Sequence, residues 1–157
     1  MRSRRHWREP LLSMRNFRFS LERVLSWRGT ELQAEEARLA ALFAERIRLD
    51  AARAEIGAAR ERAGNQMLEA EAVDGIELES LEGYQRRMEK ELIAVDRQRA
   101  QTGEEILKQR ARVVDAHRRV RLLEKLRDRR LGEWRLAWQR ETENLASESF
   151  LARWHRR

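Results

Sequence analysis

The chain has 157 residues, of which 39% are Asp, Glu, Lys or Arg, with only seven Gly, one Pro and one Tyr. This composition is typical of long solvent-exposed helices, and the scarcity of β-branched and aromatic residues argues against β-sheets. Cysteine is absent, which excludes disulfides and thiolate metal sites. No apolar run approaches the roughly 20 residues of a membrane span, so we expect a soluble intracellular protein.

The first residues are strongly basic and contain the single proline, Pro10. We expect residues 1–16 to form a flexible basic extension. Met14 is an alternative start of translation, in which case the first 13 residues have no functional role.

A heptad-like pattern runs from Phe19 to Ala72. Apolar residues recur at alternating steps of four and three, and 10 of the 15 positions from Leu21 to Ala70 are apolar where composition predicts about six. We call these positions the first seam. Its members are Leu21, Leu25, Arg28, Leu32, Glu35, Leu39, Leu42, Arg46, Leu49, Arg53, Ile56, Arg60, Ala63, Met67 and Ala70.

A second seam follows between Leu81 and Glu141. It has 11 apolar residues at 18 positions, where composition predicts about seven. Its members are Leu81, Gln85, Met88, Leu92, Val95, Arg99, Thr102, Ile106, Gln109, Val113, Ala116, Val120, Leu123, Arg127, Arg130, Trp134, Ala137 and Glu141. Both seams predict long helices.

The seams are separated by a short segment with the best turn signal of the chain, Asp74-Gly75. A short connection makes consecutive helices antiparallel neighbours. The predicted fold is therefore all-α, a long two-helix antiparallel coiled-coil hairpin over residues 17–146 with its turn near 72–77 and a C-terminal tail at 147–157. A parallel dimer of one long helix is the competing interpretation.

Folding about the turn pairs residues whose numbers sum to about 149. This register places Leu42 near Ile106 and Leu25 near Leu123. The second helix outruns the first, so we expect its last turns to pack on the N-terminal segment or on another protein. Five seam positions are arginines whose stems we expect to be buried while the charged heads reach solvent: Arg28, Arg46, Arg53, Arg60 and Arg99.

Charge is unevenly distributed within the net +7. Residues 1–30 carry +6, residues 31–107 carry −7 and residues 108–157 carry +8. A hairpin brings the two basic segments together, and such a cluster would dock an acidic surface. The residues near the turn are acidic, namely Glu69, Glu71, Asp74, Glu77, Glu79 and Glu82.

We find no pattern that indicates catalysis. No Gly-rich phosphate loop is present, no pair of carboxylates is placed in a predicted pocket, and His6, His117 and His155 lack metal-ligand spacing. We predict no catalytic, cofactor-binding or metal-binding residues and no cofactor. Four apolar residues off the seams are either the flank of a wide core or a partner-binding face: Phe43, Ile47, Leu107 and Val114.

Two stretches resemble one protein family. Residues 14–28, Met-Arg-Asn-Phe-Arg-Phe-Ser-Leu-Glu-Arg-Val-Leu-Ser-Trp-Arg, are similar to the opening of FliJ proteins of the bacterial flagellar export apparatus, which typically have a Phe-Arg-Phe-like segment followed by Leu-Glu-x-Val-Leu and a basic residue. Residues 122–130, Leu-Leu-Glu-Lys-Leu-Arg-Asp-Arg-Arg, resemble the Leu-Glu-Lys-Leu signature of the family's second helix.

The resemblance implies a non-enzymatic cytoplasmic coiled coil, peripherally associated with the cytoplasmic face of the inner membrane. It would insert as a stalk into the ring of the flagellar export ATPase and contact the export gate and export chaperones. It implies that the ATPase-binding residues are Arg15, Arg18, Arg23, Arg28, Lys125, Arg127, Arg129 and Arg130. The gate or the chaperones would then use the face formed by Phe43, Ile47, Leu107 and Val114.

Two alternatives belong to other functional classes. The first is a general chaperone or escort of exported proteins that does not bind the ATPase. The second is a coiled coil that binds nucleic acid or anionic membranes through its basic end. Acidic residues interleave with the basic ones and no base-stacking or groove-reading motif is present, so we do not expect nucleic-acid binding.

Overall fold

The computed structural model describes residues 16–154. Two helices, α1 (Glu22–Glu69) and α2 (Gly75–Trp154), account for nearly all of these residues, and no strand occurs among them. The two helices pack against each other, which confirms the predicted all-α helical hairpin. The predicted extension at residues 1–16 lies, apart from Asn16, outside the described residues.

Contacts divide the chain into two compact units. Of the described residues, the terminal unit contains 16–31 and 116–154, and the turn unit contains 32–115. Each unit therefore combines one segment of α1 with one segment of α2.

The N-terminal segment enters α1 through a short non-helical stretch. Residues 17–19 have no regular secondary structure, and the backbone N–H of Glu22 donates to the carbonyl of Phe19 over 3.1 Å. The Glu22 carboxylate lies in the first turn, where it interacts favourably with the positive end of the helix dipole.

The chain reverses over residues 70–74 and not over the predicted 72–77. The Glu77 N–H donates to Asp74 Oδ1 over 2.8 Å, and the Asp74 N–H donates to Glu77 Oε2 over 3.2 Å. This reciprocal pair of hydrogen bonds is a capping box. Asp74 is its N-cap residue, and the helix begins at the next residue. Gly75 and the two residues after it are therefore the first turn of α2.

The least exposed side chains lie on the predicted seams, which confirms the heptad pattern. The buried residues are Leu25, Leu49, Thr102, Ile106, Gln109 and Ala116. Two of them are polar, and Gln109 satisfies its amide by donating to the backbone carbonyl of Glu35 over 3.0 Å and to the Glu35 carboxylate. The core is one side chain wide and includes polar groups that bond across the helices.

Arginines and aspartates link the two helices inside the turn unit. Arg99 donates to Asp50 over 2.5 Å and to Asp96 over 3.1 Å, and Arg53 donates to Asp96 over 2.8 Å. Arg46 lies 3.5 Å from Asp50 and donates to the backbone carbonyl of Arg99 over 2.9 Å. We call these five residues the arginine–aspartate network.

The network confirms the predicted register. Arg53 and Asp96, like Asp50 and Arg99, have residue numbers that sum to 149. In the terminal unit the Arg119 guanidinium lies 3.8 Å from the Glu31 carboxylate, a pair that sums to 150. The same register therefore holds separately within each unit.

Helix α2 continues beyond the predicted boundary at residue 146, so residues 147–154 are helical and not a separate tail. No glycine or proline interrupts this stretch. The hydroxyls of Ser147 and Ser149 donate to the carbonyls of Glu143 and Ala146 over 2.9 and 2.8 Å, which keeps them within the helix.

Acidification should loosen the turn unit through Asp96. The hydrogen bond from Arg53 is the main cause that lowers the pKa of Asp96 below its ordinary value of 3.8. A lowered carboxyl pKa contributes stability above the pKa of the unfolded chain, and this contribution is lost as the pH falls through the lower pKa of the folded chain. We expect the melting temperature to fall below about pH 4, and Asp96→Asn to lower it at pH 7 but much less at pH 2. Circular dichroism melts check this, with the exposed Glu105→Gln as control; equal losses at both pH values would contradict it.

Truncation of Leu49, which is only 2% exposed, should destabilise the hairpin. Removing a buried leucine side chain costs about 2–5 kcal/mol, and we expect about 2–3 kcal/mol for Leu49→Ala because two helices can partly close the gap. Ile47→Ala, at a 69% exposed position two residues away, is the control and should change the unfolding free energy by less than about 0.5 kcal/mol. Urea denaturation measures both, and similar values for the two variants would contradict this core assignment.

Candidate protein-binding surface of the terminal unit

The two units have opposite net charge. Among the described residues the terminal unit has 13 basic and eight acidic residues, a net charge of +5, whereas the turn unit has 14 basic and 18 acidic residues, a net charge of −4. The terminal unit is therefore the part of the described chain that favours an acidic partner.

A packed aromatic pair holds the N-terminal segment against α2. The rings of Phe17 and Trp134 have centroids 6.1 Å apart and are tilted by 55°. The Trp134 ring in turn stacks on that of Trp138, with centroids 6.2 Å apart. Trp134 thus packs on the N-terminal segment, whereas the apolar side chains of the last turns of α2, Leu145, Phe150, Leu151 and Trp154, are exposed. Arg18 lies beside Arg127 and Arg130 of α2.

Three of the predicted arginines line one open cleft. Arg18, Arg23 and Arg127 surround it together with the rings of Phe17 and Phe19, and its volume is about 540 Å³. Arg127 also lies 3.9 Å from Asp128, which leaves most of its hydrogen-bonding capacity available.

A second cleft of about 620 Å³ adjoins the same segment. Arg18 and Arg130 line it with Phe17, Leu126 and Trp134. Guanidinium groups therefore flank aromatic and aliphatic surface in both clefts. We call the two clefts with their four arginines the arginine–aromatic surface.

The other predicted binding residues do not line these clefts. Arg28 is half-buried, donates to Glu31 over 2.6 Å and has its guanidinium 4.4 Å from the Trp27 ring centroid. Arg129 is exposed and donates to Glu133 over 3.1 Å, and Lys125 is exposed. Arg15 lies outside the described residues.

The arginine–aromatic surface has the chemistry of a protein-docking site. Arginine and tryptophan are the residue types most often responsible for binding energy at interfaces. Guanidinium groups bind carboxylates in a planar bidentate geometry, while the aromatic and aliphatic walls accept apolar side chains. A partner segment with acidic residues beside bulky apolar residues would satisfy both.

Sequence reasoning assigned the arginines to binding and the aromatic residues to packing, and so did not recognise that both line the same clefts. The signal lies in the alternation Phe17-Arg18-Phe19. Phe17, Arg18 and Phe19 are adjacent in the chain, and all three line the same cleft.

The predicted gate or chaperone face is exposed, but an arginine covers one of its side chains. Phe43, Ile47, Leu107 and Val114 are all exposed and all belong to the turn unit. Arg110 places its guanidinium 5.3 Å from the Phe43 ring centroid, a cation–π contact that sequence reasoning missed. Of the four apolar side chains, Phe43 is thus in contact with a guanidinium group.

Two other kinds of site were sought in the described part of the chain. Residues 16–154 contain no group of three or more His, Cys, Asp or Glu side chains placed to hold a metal ion. Neither α1 nor α2 contains a stretch apolar enough to cross a membrane.

Loss of the Trp134 ring should release the N-terminal segment. An aromatic pair contributes about 0.5–1.5 kcal/mol beyond the area it buries, so we expect Trp134→Ala to increase amide hydrogen exchange at Glu22, whose N–H donates to the Phe19 carbonyl, by about threefold to tenfold. Trp154→Ala, at a 70% exposed position of the same unit, is the control and should leave exchange there unchanged. Unchanged exchange in Trp134→Ala would mean that the aromatic pair does not hold the segment.

Comparison with protein-family models, with curated proteins and with solved structures found no match to this chain. Function is therefore inferred from the chain's own residues and geometry. These give a basic terminal unit that carries the arginine–aromatic surface.

Proposed function

We propose that this protein is a non-enzymatic, stalk-like component of the flagellar type III export apparatus. Its terminal unit binds the export ATPase ring, and the protein links that ring to the export gate and to export chaperones. It acts in the cytoplasm, at the cytoplasmic face of the inner membrane.

One observation carries this proposal. The stretches that resemble FliJ proteins, residues 14–28 and 122–130, are far apart in the sequence, yet both supply the arginine–aromatic surface. Arg18 and Arg23 come from the first stretch, and Arg127 and Arg130 come from the second. The hairpin brings the two stretches together, and the resemblance assigns a partner to the arginines that then line these clefts.

The physical basis of the binding is a combination of charge and shape. Net positive charge accelerates encounter with an acidic ring surface, an effect that is strongest within a Debye length of about 8 Å at physiological salt. Two packed helices are about 20 Å across, so several ring subunits can contact the same hairpin at once. The aromatic clefts then supply the apolar contacts that slow dissociation.

The direct test is activation of the purified flagellar export ATPase by the purified chain. We expect the wild-type chain to promote ring assembly and ATP hydrolysis, and Arg129→Glu with Arg130→Glu to raise the concentration needed by at least about tenfold, because truncating or reversing charges at an interface costs several-fold per group. The matched control is Arg86→Glu with Arg87→Glu, which reverses two adjacent exposed arginines in the turn unit.

Two outcomes count against the proposal. If the wild-type chain neither binds nor activates the ATPase, the stalk function is wrong and an escort of exported proteins becomes the better account. Normal secretion of flagellar substrates by a strain that lacks the protein would reject any essential role in export.

A further inference from the structure

A second cleft-bearing surface lies in the turn unit, beside the chain reversal. It is an open cleft of about 730 Å³ between the end of α1 and the start of α2. Its walls are mainly apolar, and they include Ala59, Ala63 and Met67 from α1 and Ile76, Leu81 and Tyr84 from α2. This volume falls within the roughly 300–1,000 Å³ of typical binding clefts.

The cleft exists because α1 offers small side chains there. Alanines occupy positions 59, 63 and 70 on the α1 side and position 72 in the loop, so the space between the helices is not filled as it is around Leu49. Ile76 is 75% exposed although it lines the cleft. An apolar side chain from outside would find unoccupied apolar surface on both helices.

The surroundings of the cleft are mainly acidic. Residues 63–85 contain six carboxylates and no Lys or Arg. Arg62, which also lines the cleft, donates to Glu55 over 2.9 Å, so its charge is compensated within α1. Phosphate backbones and anionic lipid headgroups would be repelled from such a surface, which leaves a cationic protein segment as the complementary occupant.

The backbone of the occupant is constrained as well. The cleft is bounded by two helices whose own amides are bonded internally, and it presents no strand edge to which an extended peptide could add. A helix satisfies its backbone hydrogen bonds within itself, and it therefore fits a cleft that offers side chains and no backbone partners.

We propose that this cleft is a docking site for a short amphipathic helix of another protein, one that inserts an apolar side chain between α1 and α2 and carries flanking Lys or Arg residues. The proposal concerns the turn unit alone. It does not depend on whether the terminal unit binds an ATPase.

The test uses the full-length chain and a fluorescently labelled 14-residue peptide of Leu and Lys at helical spacing, with binding followed by anisotropy. We expect saturable binding of this peptide and none of its counterpart with Glu in place of every Lys. Ile76→Asp should weaken binding at least about tenfold, since an apolar anchor of this size contributes about 1.5–3 kcal/mol. Ile93→Asp, at a 57% exposed position outside the cleft, is the matched control and should bind as the wild-type chain does.

A second set of variants tests the charge. Glu69→Gln, Glu71→Gln and Glu79→Gln together should weaken binding by about eightfold, because each exposed ion pair contributes a factor of about two. The control triple is Glu36→Gln, Glu104→Gln and Glu105→Gln, which removes three exposed carboxylates outside the cleft from the same unit. Circular dichroism spectra of all variants should match the wild type, because none of the altered side chains is buried.

Three results would overturn the proposal. One is equal binding of the Lys and Glu peptides, and another is binding that Ile76→Asp leaves unchanged. The third is concentration-dependent self-association of the wild-type chain that Ile76→Asp abolishes, which would assign the cleft to a second copy of this protein.

Discussion

The pairing of α1 with α2 depends on the arginine–aspartate network. A two-helix hairpin buries too few side chains for apolar contacts alone to select one register over its neighbours. Arg99 reaches carboxylates on both helices, Asp50 and Asp96, and Arg46 caps a backbone carbonyl of the opposite helix. A shift of one heptad would separate these pairs, so the network favours the register that the turn sets. Each pair is half-exposed and contributes little alone, and the preference is the sum over the network.

The network also explains why Gly103 stands at its position. A Cβ atom added there would lie 3.2 Å from the Arg46 guanidinium, closer than most side-chain contacts. Arg46 therefore crosses α2 at a residue that has no side chain. Glycine within a helix costs about 1 kcal/mol, and here it leaves room for an arginine that donates to the backbone of α2 and lies 3.5 Å from Asp50.

Much of the fold could be predicted from the sequence because a heptad pattern is a local property. Leu25, Leu49 and Ile106 are buried as their spacing indicates, and the register follows from the position of one turn.

The helix boundaries were harder to predict from the sequence. Asp74 reads as a turn residue, yet its carboxylate caps α2, and this depends on the reciprocal bond from Glu77. The arginine–aromatic surface was only half predicted, because the approach of Phe17 to Trp134 joins residues 117 positions apart. The cleft at the reversal is the volume that small alanine side chains leave unfilled between the helices. Hydrophobic periodicity gives the positions of apolar residues but not the volume that they fill.

The capping box at Asp74 and Glu77 has a consequence for the order of folding. It forms from residues three apart, whereas the network joins residues of the two helices that are 43 to 53 apart, and the Phe17–Trp134 contact closes a longer loop still. Because closing a short loop costs less entropy than closing a long one, α1 and α2 should pair first at the reversal and then progressively toward the chain ends. The arginine–aromatic surface is then the last part to assemble and the first to open. A partner that binds there would contribute its binding energy directly to holding the two ends of the hairpin together.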